Sequence, residues 1–162
     1  DLDGVVVPTI ERLVLPPAVS LLVAWLPDGA EDSGDHHRRV AAASGDGRNV
    51  DAGDAAAAGD RRRGMETLAG AARAAAAALS SGDVEPLDRA VRRTWATRAE
   101  CAPLRTDHAA LVDEIASSGV AATTPGSGGS AVALLTDPSS SDRVVAAAER
   151  AGARWIVSRS DR

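Results

Sequence analysis

Three glycines and two serines fill the five positions Gly126-Ser127-Gly128-Gly129-Ser130, directly before an apolar run at 131–135. Glycine accepts positive φ angles and lets a ligand approach the main chain closely. Successive backbone N–H groups in such a turn form a concave surface that binds anions. This glycine loop (residues 126–129) therefore predicts contact with a phosphate or another anion. The alternative is a tight turn that only connects two strands, because a single glycine-rich turn is a weak motif.

A second group of polar residues, Ser33, Gly34 and His37, follows an apolar run at 19–26. A histidine donates hydrogen bonds to carboxylates and titrates near neutral pH. We therefore consider these residues as candidates for substrate contact, with a solvated loop and a helix start as the alternative. The neighbouring His36 does not indicate a metal site, because adjacent helical histidines point to different sides and no cysteine is near.

The charged residues exclude several chemistries. All 18 cationic side chains are arginines, which excludes a lysine base, a Schiff-base lysine and a phosphate-binding loop of the Gly-Lys-Ser/Thr type. The net charge is −5, and no basic stripe alternates with aromatic residues, so we expect no nucleic-acid partner. No residue is predicted to act as a catalytic base or nucleophile.

The chain has the features of a cytoplasmic protein that does not enter a membrane. Cys101 is the only cysteine, so no internal disulfide can form, which suits a reducing compartment. No apolar run is long enough to span a bilayer. Because the sequence opens at Asp1 and passes directly into apolar residues, we expect it to be a fragment.

Hydrophobic periodicity predicts one α+β domain over residues 1–162, with helices on one face of a mainly antiparallel sheet. The predicted strands are 19–26, 120–124, 131–135 and 154–158, with short extended candidates at 5–7 and 10–15. The first predicted helix is 65–81, and the second follows the cap Asp83 and ends before Cys101. The third starts at Thr106 or Asp107 and ends at Gly119, and the last follows Ser139 and stops at Gly152. Ser139 and Asp142 resemble a capping box for the last helix. The stretch 44–64 is rich in Gly, Asp, Ala and Arg and is predicted to be a mobile surface insertion.

Several individual side chains on these elements are interpreted as structural residues. Trp25, Trp95 and Trp155 each lie in an apolar pattern and are predicted core residues. Arg98 is placed on the solvated face of its helix with two other arginines, and an orientation toward the site is the alternative. Cys101 has no evident base partner and is assigned a structural role.

The glycine loop resembles the third motif of the GHMP small-molecule kinases, Lys-x-Thr-Gly-Ser/Ala-Gly-Gly followed by an apolar strand. Residues 126–129 match it, whereas Pro125 replaces the Thr and Thr123 stands at the Lys. A second stretch, Leu15-Pro16-Pro17 with a strand and then Ser33-Gly34-x-x-His37, resembles glucuronokinase-like sugar-1-kinases. The implied fold is that of a GHMP kinase C-terminal domain.

The resemblance implies a sugar or uronate substrate, ATP and Mg²⁺. In that family, ATP is held mainly by an N-terminal-lobe motif, Pro-x-x-x-Gly-Leu-Gly/Ser-Ser-Ser, which does not occur among the 162 residues. We therefore expect a substrate-side domain that is inactive without an N-terminal kinase lobe as its partner. The alternative from another class is a free-standing, non-catalytic α+β module that binds a small anion or a protein.

Overall fold

The computed structural model describes residues 12–29, 34, 35, 38, 52–101 and 104–158. Four strands form one sheet in the order β2–β3–β1–β4, with every neighbouring pair antiparallel. The strands are β1 (Ser20–Trp25), β2 (Ala122–Thr123), β3 (Ser130–Leu135) and β4 (Arg154–Ser158). This order places the apolar strands β1 and β3 at the centre, as expected for strands that are buried on both sides.

In the described residues from 52 onward, four α-helices pack around this sheet, and they confirm the predicted α+β class. They are α1 (Ala52–Ser81), α2 (Val84–Cys101), α3 (Thr106–Ser117) and α4 (Ser141–Arg150). A short 3₁₀ turn (Pro138–Ser140) precedes α4. The helices α1, α2 and α3 all lie between β1 and β2 in the chain, whereas α4 joins β3 to β4.

The main core lies between the sheet and the helices α3 and α4. Side chains at alternate strand positions point to this side, because successive strand residues face opposite sides of a sheet. The sheet contributes mostly small side chains to this core, and the helices contribute mostly branched ones. The fully buried residues include Leu22, Ala24, Ala131, Ala133, Leu111, Ile115, Val144 and Ala148. A second cluster joins the α1–α2 hairpin to the sheet through Val19, Ala78, Leu87, Ala121 and Leu134.

Three local predictions need correction. Residues 52–64 belong to α1, whose predicted start is 65, and a Cβ on the buried Gly64 would lie 2.8 Å from Sγ of Cys101. The mobility of the stretch 44–64 stays a prediction. Residues 44–51 are outside the described residues. Trp155 is 38% exposed, because it lies on the edge strand β4. Asp137, and not Ser139, caps the turn before α4, since its Oδ1 accepts the Ser139 N–H at 3.0 Å.

Candidate functional site

The glycine loop is the connection of the β2–β3 hairpin. β2 ends at Thr123, and β3 begins at Ser130, directly after the loop. β1 ends at the same edge of the sheet, because Trp25 pairs with Ser130. Before the loop, the buried Thr124 hydroxyl donates to the Gly126 carbonyl at 3.3 Å. All four predicted residues of the loop therefore lie together, where the central strands leave the sheet.

Gly128 lies directly against the first turn of α3. Its φ is +127°, a conformation that side-chain-bearing residues rarely adopt. A Cβ at this position would be 2.2 Å from Nδ1 of His108, a ring that is only 1% exposed. The helical spacing of His108 with Leu111 and Ile115 predicts that it points inward. Its contact with the loop has no signal in the sequence, because it depends on the packing of α3 under the hairpin.

Gly129 lies against a tight turn that follows β1. Its φ is +74°, and a Cβ there would be 2.2 Å from the carbonyl oxygen of Gly29. The Leu26 N–H donates to the Gly129 carbonyl at 2.9 Å, and the Gly29 N–H donates back to the Leu26 carbonyl at 3.0 Å. Backbone therefore packs on backbone at this point, and neither segment has room for a side chain.

Arg98 of α2 contacts the other end of the loop. Its Nη2 donates to the Gly126 carbonyl at 2.8 Å. The side chain is half-buried, and this burial lowers the pKa of the guanidinium while Cys101 acts in the opposite direction. The prediction that Arg98 lies on the solvated face with the other two arginines is thus wrong, because its side chain contacts the glycine loop. Arg92 and Arg93 on the same helix are exposed, as predicted.

The start of α3 carries a carboxylate that is hydrogen-bonded to an arginine. Arg105 donates to Asp107 through Nη2 at 2.6 Å and Nε at 3.1 Å. The Asp107 carboxylate also accepts the His108 N–H at 3.1 Å, which occupies a free backbone donor of the first turn. The hydrogen bonds from Arg105 are the main reason why the pKa of Asp107 lies below its usual value.

The second predicted group is only partly described. Gly34 and Asp35 are helical, and Gly34 lies five residues after Gly29 in the sequence. Ser33 and His37 lie outside the described residues, so the approach of this group to the glycine loop stays a prediction. Among the residues that the structure describes, no three His, Cys, Asp or Glu side chains form a cluster for a metal ion. His36 lies outside this search.

The arrangement is suited to binding an anion through the main chain. Of the two positive-φ glycines, Gly128 contacts α3 and Gly129 contacts the turn at 26–29. The cationic Arg98 contacts the carbonyl of Gly126, the first glycine of the loop. In such a turn the N–H groups carry the partial positive charge, and the nearby guanidinium adds a full one. Within the described part of the chain, no helix is long and apolar enough to cross a membrane.

Comparison with known proteins agrees with this fold. Residues 75–154 match the family described as GHMP kinases C terminal, a range that includes the whole glycine loop. The α+β architecture, with its four-stranded antiparallel sheet, is the fold of the GHMP kinase C-terminal domain. No curated protein matches the chain in sequence.

Three solved structures illustrate the likeness. Phosphomevalonate kinase of Streptococcus pneumoniae, in complex with phosphomevalonate and AMPPNP, has a TM-score of 0.70 at 12% identity and covers 94% of this chain. Mevalonate kinase of L. major, in complex with R-mevalonate, has a TM-score of 0.69 at 15% identity and covers 92% of this chain. The Lin0012 protein of Listeria innocua has a TM-score of 0.71 at 16% identity and covers 95% of this chain. The chain covers 43%, 45% and 44% of these three chains, respectively, which is less than half of each. At these identities the likeness concerns the fold.

Proposed function

We propose that this chain is the substrate-side C-terminal domain of an ATP-dependent small-molecule kinase of the GHMP superfamily. The observation that carries the proposal is the glycine loop, which lies inside the matched range and is closely packed at Gly128 and Gly129. Phosphoryl transfer depends mostly on positioning and on stabilising negative charge. The backbone N–H groups of the loop, with Arg98 beside them, would supply both.

The substrate class is a sugar or a uronate. This part of the proposal rests on the resemblance of Leu15-Pro16-Pro17 and the Ser33-Gly34-x-x-His37 stretch to glucuronokinase-like enzymes. His37 would donate a hydrogen bond to the substrate carboxylate, which is the feature that separates a uronate from a neutral sugar. Ser33 and Gly34 would contact the ring hydroxyls.

The residues of the loop fit phosphate better than they fit a metal ion. Phosphate oxygens are acceptors, and the loop offers backbone donors with the Arg98 guanidinium behind them. Mg²⁺ requires oxygen ligands, usually one or two carboxylates, and residues 124–129 contain none. Bound ATP would supply the phosphoryl group, while this chain orients the substrate side. The carboxylates for Mg²⁺ and most of the nucleotide site would come from an N-terminal lobe.

The test is ADP formation with Mg-ATP and each of four substrates: glucuronate, galacturonate, galactose and mevalonate. The chain is assayed alone and with a separately produced N-terminal lobe of a GHMP kinase. We expect no ADP above background from the chain alone and substrate-dependent ADP with the lobe, highest with a uronate. Turnover by the chain alone would show that its nucleotide site is complete. No turnover in either arm would favour the non-catalytic module.

The Gly128→Ala variant tests the role of the glycine loop in this assay, and Gly152→Ala is its matched control. Gly128→Ala should abolish turnover with the lobe, because the added Cβ displaces the loop from His108. The Gly152→Ala variant also changes a positive-φ glycine, but in open space at the end of α4, and should keep turnover. Equal activity of the two variants would show that turnover does not depend on the glycine loop and would contradict the proposal.

A further inference from the structure

Two arginines of α2 make the same kind of bond to different segments. Arg98 Nη2 donates to the Gly126 carbonyl at 2.8 Å, and Arg92 Nη2 donates to the Gly119 carbonyl at 2.7 Å. Arg92 also pairs with Asp88 on its own helix at 2.6 Å, so its charge is neutralised locally. For Arg98, the described residues offer no carboxylate within ion-pair distance, and its buried Nε has no hydrogen-bond partner among them.

This difference matters because burying a cation without a counter-ion is unfavourable. Within the described part of the chain, Arg98 therefore has no counter-ion for its positive charge at the glycine loop. The Gly126 carbonyl and the Ser127 N–H belong to one planar peptide group. When the carbonyl accepts a bond from a cation, the N–H is turned to the opposite side and becomes a stronger donor, since hydrogen bonds in a chain polarise one another.

We propose that Arg98 is a positioning residue for the anion site. It fixes the 126–127 peptide with the Ser127 N–H directed toward a bound phosphate group, and its unpaired charge increases the affinity for that group. The inference rests on the proposed function, because it assigns the loop a phosphate-bearing ligand. It goes beyond that function by identifying the side chain that sets both the loop geometry and its charge.

The test uses the full chain and three variants: Arg98→Met, Arg98→Lys and, as the matched control, Arg92→Met. Hydrogen exchange of the amides of residues 127–129 is measured by NMR without ligand. Binding of inorganic pyrophosphate is then measured by calorimetry at two salt concentrations. Methionine has a length similar to that of arginine and places no polar atom in the buried site, so the fold should persist; circular dichroism checks this.

We expect Arg98→Met to speed loop exchange and to raise the pyrophosphate Kd about tenfold each, as for loss of one charged hydrogen bond. Arg98→Lys, which keeps the charge, should recover most of the affinity and its salt dependence, whereas Arg92→Met should leave both readouts within about twofold of wild type. Equal effects of Arg98→Met and Arg92→Met would overturn the inference, as would faster exchange without weaker binding.

A wild-type chain that binds no pyrophosphate would contradict the anion site of the proposed function and the charge role of Arg98. Loop exchange would still decide whether Arg98 holds the peptide. Failure of the proposed function and failure of the Arg98 inference are therefore distinguishable.

Discussion

Five glycines of the described chain have positive φ, and they fall into two groups. Gly82, Gly119 and Gly152 follow helix ends, and a Cβ on any of them would meet nothing within 4 Å. Gly128 and Gly129 lie in the β2–β3 loop, and a Cβ on either would come within 2.2 Å of another atom. The helix ends thus need glycine only for the backbone angle. The loop also needs the space that a missing side chain leaves.

This difference separates a structural turn from a packed site. A loop that only reverses the chain needs no contact with distant elements, whereas this loop is enclosed by α3 and by the turn at 26–29. If the loop binds an anion as proposed, such close packing would orient its N–H groups before the ligand arrives. Preorganised donors are the means by which a site stabilises charge without reorganising.

The largest effect is expected for Gly129→Ala. The new Cβ would meet the backbone carbonyl of Gly29, which no side-chain rotation can relieve, and the φ of +74° adds strain. Backbone strain and overpacking together suggest a loss of about 4 kcal/mol in the free energy of unfolding. Urea denaturation measures it. A loss below about 1.5 kcal/mol, as strain alone would give, would show that the loop is not packed against residues 26–29.

Gly128→Ala should cost somewhat less, and the cost should depend on His108. The Cβ would meet a buried imidazole, so His108→Ala removes the collision but not the strain of the φ of +127°. In a double-mutant cycle we expect Gly128→Ala to cost about 2 kcal/mol less in the His108→Ala background than in wild type. Urea denaturation of the four proteins gives this number. Additive effects would contradict the contact between the loop and α3.

Gly152→Ala should have a smaller effect, because only the backbone angle of +71° opposes it. The expected loss is about 1 kcal/mol. Thermal and urea denaturation should agree on this value, and the amide spectrum of the glycine loop should not change. A loss as large as that of Gly129→Ala would erase the distinction between the two groups of glycines.

The smallest effect concerns the carboxylate at the start of α3. Hydrogen bonds from Arg105 lower the pKa of Asp107 in the folded state, so this pair stabilises the fold above the unfolded pKa and the gain is lost as pH falls through the folded value. Because both side chains are largely exposed, Arg105→Gln should cost at most about 0.5 kcal/mol at neutral pH.

The cost of Arg105→Gln should vanish as the pH falls through the native pKa of Asp107, which lies below the usual value of an aspartate. Carboxyl ¹³C titration should show the Asp107 pKa rising toward its ordinary value in the variant. A pH-independent difference in stability would mean that the arginine acts through packing alone.

The local elements were largely predictable from the sequence. The final strand at 154–158 agrees with β4 at both ends, and Gly82 and Gly119 follow helix ends as their positions indicate. α1 begins earlier than predicted, at Ala52, because alanine-rich helices have weak hydrophobic faces and the packing of Gly64 on Cys101 is a tertiary contact. The exposure of Trp155 follows from the edge position of β4, which no local pattern encodes.

For the candidate site, the sequence predicted the residues of the loop but not the residues that contact it. Glycine content identified residues 126–129, but their neighbours come from separate parts of the chain. Arg98, His108 and Gly29 lie 28, 20 and 100 residues away from the loop residues that they contact. These contacts depend on strand order and helix packing, so single-sequence patterns leave them open.

The most direct test of the account is a titration of the ¹⁵N-labelled chain with inorganic phosphate, followed amide by amide. The account predicts that residues 127–129 shift together along one binding curve while Gly82, Gly119 and Gly152 do not move. Equal small shifts at all five positive-φ glycines, or no shift in the loop at phosphate concentrations that saturate ordinary anion sites, would contradict it.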